Sequence, residues 1–213
     1  MTTLKVNEIL YSLQGESLYA GRACVMIRLA GCNLRCAFCD TQYAYDDGQD
    51  ITLPEIIKKV QSHACPLVEI TGGEPLLQKN TPRLIRQLLD NNFTVLLETN
   101  GSMDISPVPE ACVKIVDIKC PASRESDTND LENIDRLAPH DQIKFVITTR
   151  ADYDFACSLL PQITAIPPEN ILFSIAEGQL KPSLLAEWML SDKLLTRFHI
   201  QLHKIIWGGK CRK

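Results

Sequence analysis

Hydrophobic positions along this chain fall into short, β-branched runs that alternate with longer segments of helical spacing. The runs are ACVMIRLA (23–30), PLVEIT (66–71), TVLLET (94–99), CVKIVDIK (112–119), QIKFVIT (142–148), NILFSIA (170–176) and FHIQLH (198–203), each about the length of a buried strand. Between them, LPEIIKKVQSHA (53–64) puts Ile56, Ile57 and Val60 on one helical face. PRLIRQLLDNN (82–92) does the same with Leu84, Ile85, Leu88 and Leu89, the spacing of an amphipathic helix. Residues 129–138, 151–161 and 182–194 are further helix candidates. Alternation repeated this often predicts an α/β chain, a parallel sheet with helices outside. Right-handed crossovers allow an open doubly wound sheet or a barrel, complete or partial, and periodicity leaves both open.

The polar positions are concentrated. Several runs stay apolar until their C-terminal end, where Gly31-Cys32, Thr71-Gly72-Gly73-Glu74, Glu98-Thr99-Asn100, Asp117 with Lys119, and Gln201 with His203 appear. Both parallel architectures build their sites at that rim. The unusual chemistry therefore converges on one end of the sheet, a placement that solubility alone does not require.

At 213 residues, 45% apolar and 23% charged, the chain suits one folded unit spanning 1–213 with a substantial core. A net charge of −4 supplies no basic footprint for nucleic acid. No apolar run is long enough to cross a bilayer, and the N-terminus lacks the apolar core of a signal peptide, so a cytoplasmic location is expected. Nine cysteines then point to metal or redox chemistry before disulfides. Cys24, Cys65, Cys112, Cys120 and Cys157 read as small buried side chains, and Cys211, in the polar tail GGKCRK, as exposed.

The remaining three cysteines share one loop. GCNLRCAFCDT (31–41) spaces Cys32, Cys36 and Cys39 as Cys-x3-Cys-x2-Cys directly after a strand. Structural zinc takes four closed ligands and an electron-transfer cluster usually four cysteines. Three thiolates leave one iron of a 4Fe–4S cubane open, which is what chelation by the amino and carboxylate groups of S-adenosylmethionine (SAM) requires. The competing readings are a zinc site completed by Cys65 or His63, or no metal at all. Thr71-Gly72-Gly73-Glu74-Pro75 adds a backbone unobstructed by Cβ and, in Glu74, an acceptor for an ammonium group. Arg28 interrupts an apolar run, where a guanidinium needs an anionic or carbonyl partner. Thr41 offers a hydroxyl suited to a hard cation such as Mg²⁺. Lys144 and Glu98 are divided between structural and site roles, as are Gln201 and His203. His63, His140 and His199 read as surface or structural, and 125–133 as a solvated loop and helix start.

CNLRCAFC matches the signature of the radical SAM superfamily. The combination SLQGE … GR … RLAGCNLRCAFCDT … TGGEPLLQ … QLHK, from about residue 8 to 206, resembles the 7-carboxy-7-deazaguanine synthases within it. The resemblance implies an incomplete βα barrel of the TIM type, commonly a homodimer, with a 4Fe–4S cluster, SAM and Mg²⁺. It implies conversion of 6-carboxy-5,6,7,8-tetrahydropterin to 7-carboxy-7-deazaguanine with loss of ammonia, on the route to 7-deazapurines such as queuosine. The reduced cluster, fed by an electron donor such as flavodoxin or ferredoxin, would split SAM to methionine and a 5′-deoxyadenosyl radical that abstracts a substrate hydrogen.

Carried over by position, the resemblance places Leu13, Gln14, Gly15, Arg28 and Thr71 at the pterin. It places Phe38, Cys39 and Asp40 along SAM, Phe38 beside the adenine and Gly73 at the methionine end, with Thr41 on Mg²⁺. Asp117-Ile118-Lys119 stands where many relatives have Ser-Pro-Lys at SAM, and Ser174 to Glu177 where they often read Gln-Pro-Met-Asp. A glycyl-radical activating enzyme is the rival within the superfamily. A non-catalytic iron–sulfur or zinc-binding protein is the rival outside it.

Overall fold

The structure, a computed structural model, describes residues 2–208; Cys211 lies outside the described residues. Among the described residues nine strands form one sheet: β1 (Thr3–Leu13), β2 (Ala23–Leu29), β3 (Gln49–Thr52), β4 (Leu67–Gly72), β5 (Thr94–Thr99), β6 (Val113–Ile118), β7 (Gln142–Ile147), β8 (Ile171–Ile175) and β9 (Arg197–His199). Five α-helices accompany them: α1 (Leu53–Gln61), α2 (Thr81–Asp90), α3 (Arg150–Leu159), α4 (Pro182–Ser191) and α5 (Leu202–Trp207). The strand order is β3-β1-β2-β4-β5-β6-β7-β8-β9. From β2 onward neighbours are parallel, whereas β1 runs antiparallel to both β2 and β3.

That order decides between the two parallel architectures. After β2, the parallel strands follow one another across the sheet without reversal, so there is no switch point of the doubly wound kind. The edges β3 and β9 do not pair. The result is the partial barrel expected for this chain, with an antiparallel extension at one edge.

Alternation along the strands separates two faces. On the outer face Val68, Ile70, Val95 and Leu97 pack against Ile56 and Val60 of α1 and Leu84, Ile85 and Leu88 of α2. Ile143, Phe145, Phe173 and Ile175 do so against Tyr153 and Ala156 of α3 and Leu185 and Met189 of α4. The inner face carries the buried polar groups: Glu69, Thr71, Glu98, Asp117 and Lys144 line a cavity together with Leu10, Met26 and Val146. Capping boxes start two helices, Thr52 with Glu55 on α1 and Thr149 with Asp152 on α3, each satisfying orphan backbone donors. Buried Asp152 also accepts from Ala122 N at 2.8 Å, tying α3 to the loop after β6.

Four elements differ from the sequence reading, one of them β3, whose short QDIT stretch is too polar to signal a strand. β1 was not expected, because a bulge between Val6 and Glu8 breaks its alternation. Residues 129–138 hold only a 3₁₀ turn, Leu131–Ile134: the Asn133 side chain donates to Met103 O at 2.8 Å and accepts from Ile105 N at 3.1 Å, holding a neighbouring loop. The run 198–203 is strand only to His199, and Leu202 opens α5. No described helix is long and apolar enough to cross a membrane.

Candidate active site

The loop 31–41 leaves β2 at the C-terminal rim; two backbone contacts hold this junction against the end of β4, and a third closes the loop on Ala44. Gly73 N donates to Leu29 O at 3.2 Å, Glu74 N donates to Gly31 O at 2.8 Å, and Gly31 N donates to Ala44 O at 2.9 Å. The two glycines make this approach possible. A Cβ on Gly72 would lie 2.1 Å from Leu29 O, and one on Gly73 would lie 2.2 Å from Gly31 O and 2.7 Å from Cys32 Cβ. Glycine is therefore needed first for backbone against backbone. Glu74 is also committed within the protein: its carboxylate accepts from Leu76 N and Thr99 Oγ1 at 2.9 Å and from Asn100 N at 2.7 Å. These donors give Glu74 a structural role that its sequence context did not show.

Cys32, Cys36 and Cys39 all line the cavity as free thiols. Leu34 N and Asn100 Nδ2 donate to the Cys32 sulfur at 3.4 and 3.9 Å. Burial pushes the Cys32 and Cys36 thiols up, so iron coordination is what would make them thiolates. Among the described residues no three His, Cys, Asp or Glu side chains are gathered as ligands of a single ion; in a cubane each cysteine instead takes its own iron. Cys65 donates to Ala23 O at 3.3 Å, at the opposite end of the strands, and His63 stacks on Tyr11. Neither can complete a zinc site on this loop. The donor set, three cysteines beside the Lys119 cation on one cavity wall, fits a cluster with one open iron.

Of the residues proposed for SAM, Phe38, Asp40, Gly73, Asp117 and Lys119 line this cavity with Cys39. Asp40 is engaged by Lys204 at 2.7 Å, and the Thr41 hydroxyl donates to Asp40 Oδ1 at 3.1 Å. Lys119 Nζ is 2.9 Å from Asp117; burial opposes its charge, but Asp117 and Cys36 hold its pKa above the ordinary lysine value. Ile118 is in the outer core, so its side chain faces away from the cavity. Ser174 is buried within the sheet and Glu177 is exposed. Neither is in the cavity wall; Ala176, between them, is.

Leu13, Gln14, Gly15, Arg28 and Thr71 are all in the wall. Gln14 shapes the turn behind it, accepting from Glu16 N and Ser17 N at 3.0 Å. A Cβ on Gly15 would meet His203 Nδ1 at 2.7 Å, so the glycine admits α5. Arg28 Nε donates to Glu8 at 2.8 Å, with the guanidinium over the Tyr43 ring. Burial opposes the Arg28 charge, and Tyr43 and Glu8 restore it, leaving its pKa raised.

Lys144 organises the floor. Its ammonium bridges Glu98, Glu16 at 3.1 Å and Asp117 at 3.6 Å, which settles its role as a partnered lysine of the inner face. Burial opposes its charge, yet those carboxylates hold its pKa well above the ordinary value. Burial likewise opposes ionisation of Glu16, but Lys144 and His203 bring its carboxyl down to about 2. Gln201 donates to Glu16 at 3.0 Å, so the start of α5 belongs to this network. The residue that sequence reasoning missed is Glu69, fully buried on β4. The signal was present: a lone carboxylate in PLVEIT, costly in a covered strand.

Residues 26–122 match the radical SAM superfamily. A 7-carboxy-7-deazaguanine synthase of Koribacter versatilis is 43% identical over 96% of this chain and 97% of its own. One of Chlorobaculum tepidum is 42% identical over 98% of this chain and 96% of its own. The chain belongs to the 7-carboxy-7-deazaguanine synthase family. In fold, this family member superposes on QueE from Escherichia coli with a TM-score of 0.79 at 22% identity, over 94% of this chain and 95% of the other. Family membership sets aside both rivals that the sequence left open.

Proposed function

We infer that this radical SAM family member converts 6-carboxy-5,6,7,8-tetrahydropterin to 7-carboxy-7-deazaguanine and ammonia, a step toward 7-deazapurines such as queuosine. The observation that supports this reading best is one cavity that joins the three-cysteine loop to a second, polar wall of Gln14, Gly15, Arg28 and Thr71. When bound, the cluster and SAM supply a carbon-centred radical that removes a hydrogen atom from the substrate. The chain's own residues bind and orient. Asp117, Lys119 and the Gly73 backbone flank the SAM end, and Arg28 offers a cation to the substrate carboxylate. Thr41 is the protein ligand proposed for Mg²⁺, which would neutralise that carboxylate and fix its direction.

The far wall suits a heterocycle rich in donors and acceptors. Three residues of the cavity wall hold a buried polar atom with no partner among the described residues: Glu69 Oε2, Asp117 Oδ1 and Gln201 Oε1. An apolar substrate would leave each at a cost of about 1–3 kcal/mol, whereas a pterin can satisfy several. α5 adds His203, Lys204 and Trp207 to the cavity wall, with Leu202 N donating to Gly15 O at 3.1 Å, and in this reading it limits the access of water and quenchers to the radical. A cytoplasmic homodimer fed by a flavodoxin- or ferredoxin-type donor completes the proposal. The test is anaerobic reconstitution followed by incubation with the carboxytetrahydropterin. About four irons per chain, a SAM-dependent change in the cluster's EPR signal and ammonia release matching pterin consumption are expected. Equal turnover by Thr41→Ala with the same metal dependence would remove Mg²⁺ from the account.

A further inference from the structure

The Glu69 side chain brings one unpartnered oxygen to the cavity, and the reading above leaves open whether that oxygen accepts or donates. On the inner face of β4 Glu69 stands in register between Met26 of β2 and Leu96 of β5. The residue is 0% exposed, and yet it contributes to the cavity wall. Its two oxygens differ. Gln14 Nε2 donates to Oε1 at 3.4 Å, while Oε2 has no partner. A buried carboxylate with one weak donor and an orphan oxygen is costly. The charged groups acting on it are Glu16 from the turn after β1, Arg28 from β2 and Glu98 from β5, with Cys24 on β2 also coupled to it. The lysine of this wall, Lys144, is bound to Glu16 and Glu98 instead.

We propose that Glu69 is a substrate-binding residue held as a neutral carboxylic acid, whose Oε2–H donates a hydrogen bond to an acceptor, a ring nitrogen or carbonyl oxygen, on the bound heterocycle. The geometry assigns the proton: Oε1 faces a donor and acts as the carbonyl oxygen, leaving Oε2 to carry the hydrogen into the cavity. Burial, with Glu98 and Glu16 nearby, pushes the Glu69 carboxyl up to about 8, so the acid form persists at neutral pH. A carboxyl kept neutral in order to donate is an established device in buried sites.

This inference rests on the proposed pterin reaction, and its test separates the two. Wild type, Glu69→Gln and Glu69→Leu holoenzymes are compared with the carboxytetrahydropterin across roughly pH 6 to 9. Glutamine keeps the same connectivity, accepting from Gln14 and donating from Nε2. The wild-type KM is expected to be level until about pH 8 and then to climb roughly tenfold per pH unit. Glu69→Gln should keep a neutral-pH KM within about threefold of wild type and lose the inflection. Glu69→Leu should raise KM about tenfold or more, with the loss falling mainly on KM. Any one of three results overturns the proposal: an inflection retained in Glu69→Gln, a glutamine variant as impaired as the leucine one, or a leucine variant with wild-type KM. A wild-type enzyme that does not turn over the pterin overturns the functional reading beneath it, before any variant is made.

Discussion

Lys204 Nζ lies 2.7 Å from Asp40 Oδ2, so the last helix is tied directly to the loop that carries the three cysteines. With Gln201 on Glu16 at 3.0 Å, this contact joins α5 to both walls of the cavity. Asp40 is 44% exposed, and an ion pair so placed adds at most about 1 kcal/mol to stability. Lys204→Ala should therefore leave the unfolding midpoint nearly in place. It should raise the yield of 5′-deoxyadenosine per product formed, because the cover over the site is looser. Chromatographic quantification of both products checks this; an unaltered ratio removes the closing role of α5.

Glu69 should make the protein less stable as pH rises. Its carboxyl lies at about 8 in the folded chain against an ordinary 4.5, so between those values the folded state holds a proton that the unfolded state releases. Stability then falls across this window. Glu69→Gln removes the penalty and should stabilise by on the order of 3 kcal/mol at pH 7, with the gain vanishing below about pH 4.5. Urea titrations of both proteins at a series of pH values measure it.

Glu16 behaves in the opposite sense. Its carboxyl is lowered to about 2 from 4.5, so the stability it contributes is complete above pH 4.5 and is lost as pH falls toward 2. Lys144→Met strands Glu16 and Glu98 without their cation and should cost about 3–5 kcal/mol near neutrality. That cost should shrink under acid, once the carboxyls are protonated. A deficit independent of pH would contradict the charge account of this floor.

The Gly-Gly-Glu motif illustrates how far the sequence could be read. Its position at the end of β4 was legible, because a strand run closes on glycines one unit after the cysteine loop. The role of Glu74 was not, since its three donors come from Leu76, Thr99 and Asn100, two of them about 25 residues distant along the chain. Apolar periodicity likewise found the parallel strands and four of the helices but not β1, whose bulge shifts the alternation midway, nor α5, whose start is fixed by a hydrogen bond to Gly15. Position by resemblance carried Ile118 into the SAM group, yet strand alternation alone turns that side chain toward the outer core. Glu69 was visible as an anomaly in an apolar run, and only the fold shows that it faces the same cavity as Arg28.

Glu74→Gln distinguishes these roles by experiment. Loss of a charged acceptor for three protein donors should cost about 2 kcal/mol of folding stability even without SAM. Thermal unfolding of the protein without added SAM, compared with wild type, gives the answer. A variant of normal stability that fails only in SAM binding would restore the ligand role.

The central claim is that a three-cysteine cluster and a pterin site act together in one cavity. Mass spectrometry of the products after anaerobic incubation of the reduced, reconstituted protein with SAM and 6-carboxy-5,6,7,8-tetrahydropterin tests it most directly. The account predicts a product lighter than the pterin by one ammonia and identical to 7-carboxy-7-deazaguanine. Recovery of the pterin intact, while SAM is cleaved to 5′-deoxyadenosine, would contradict it.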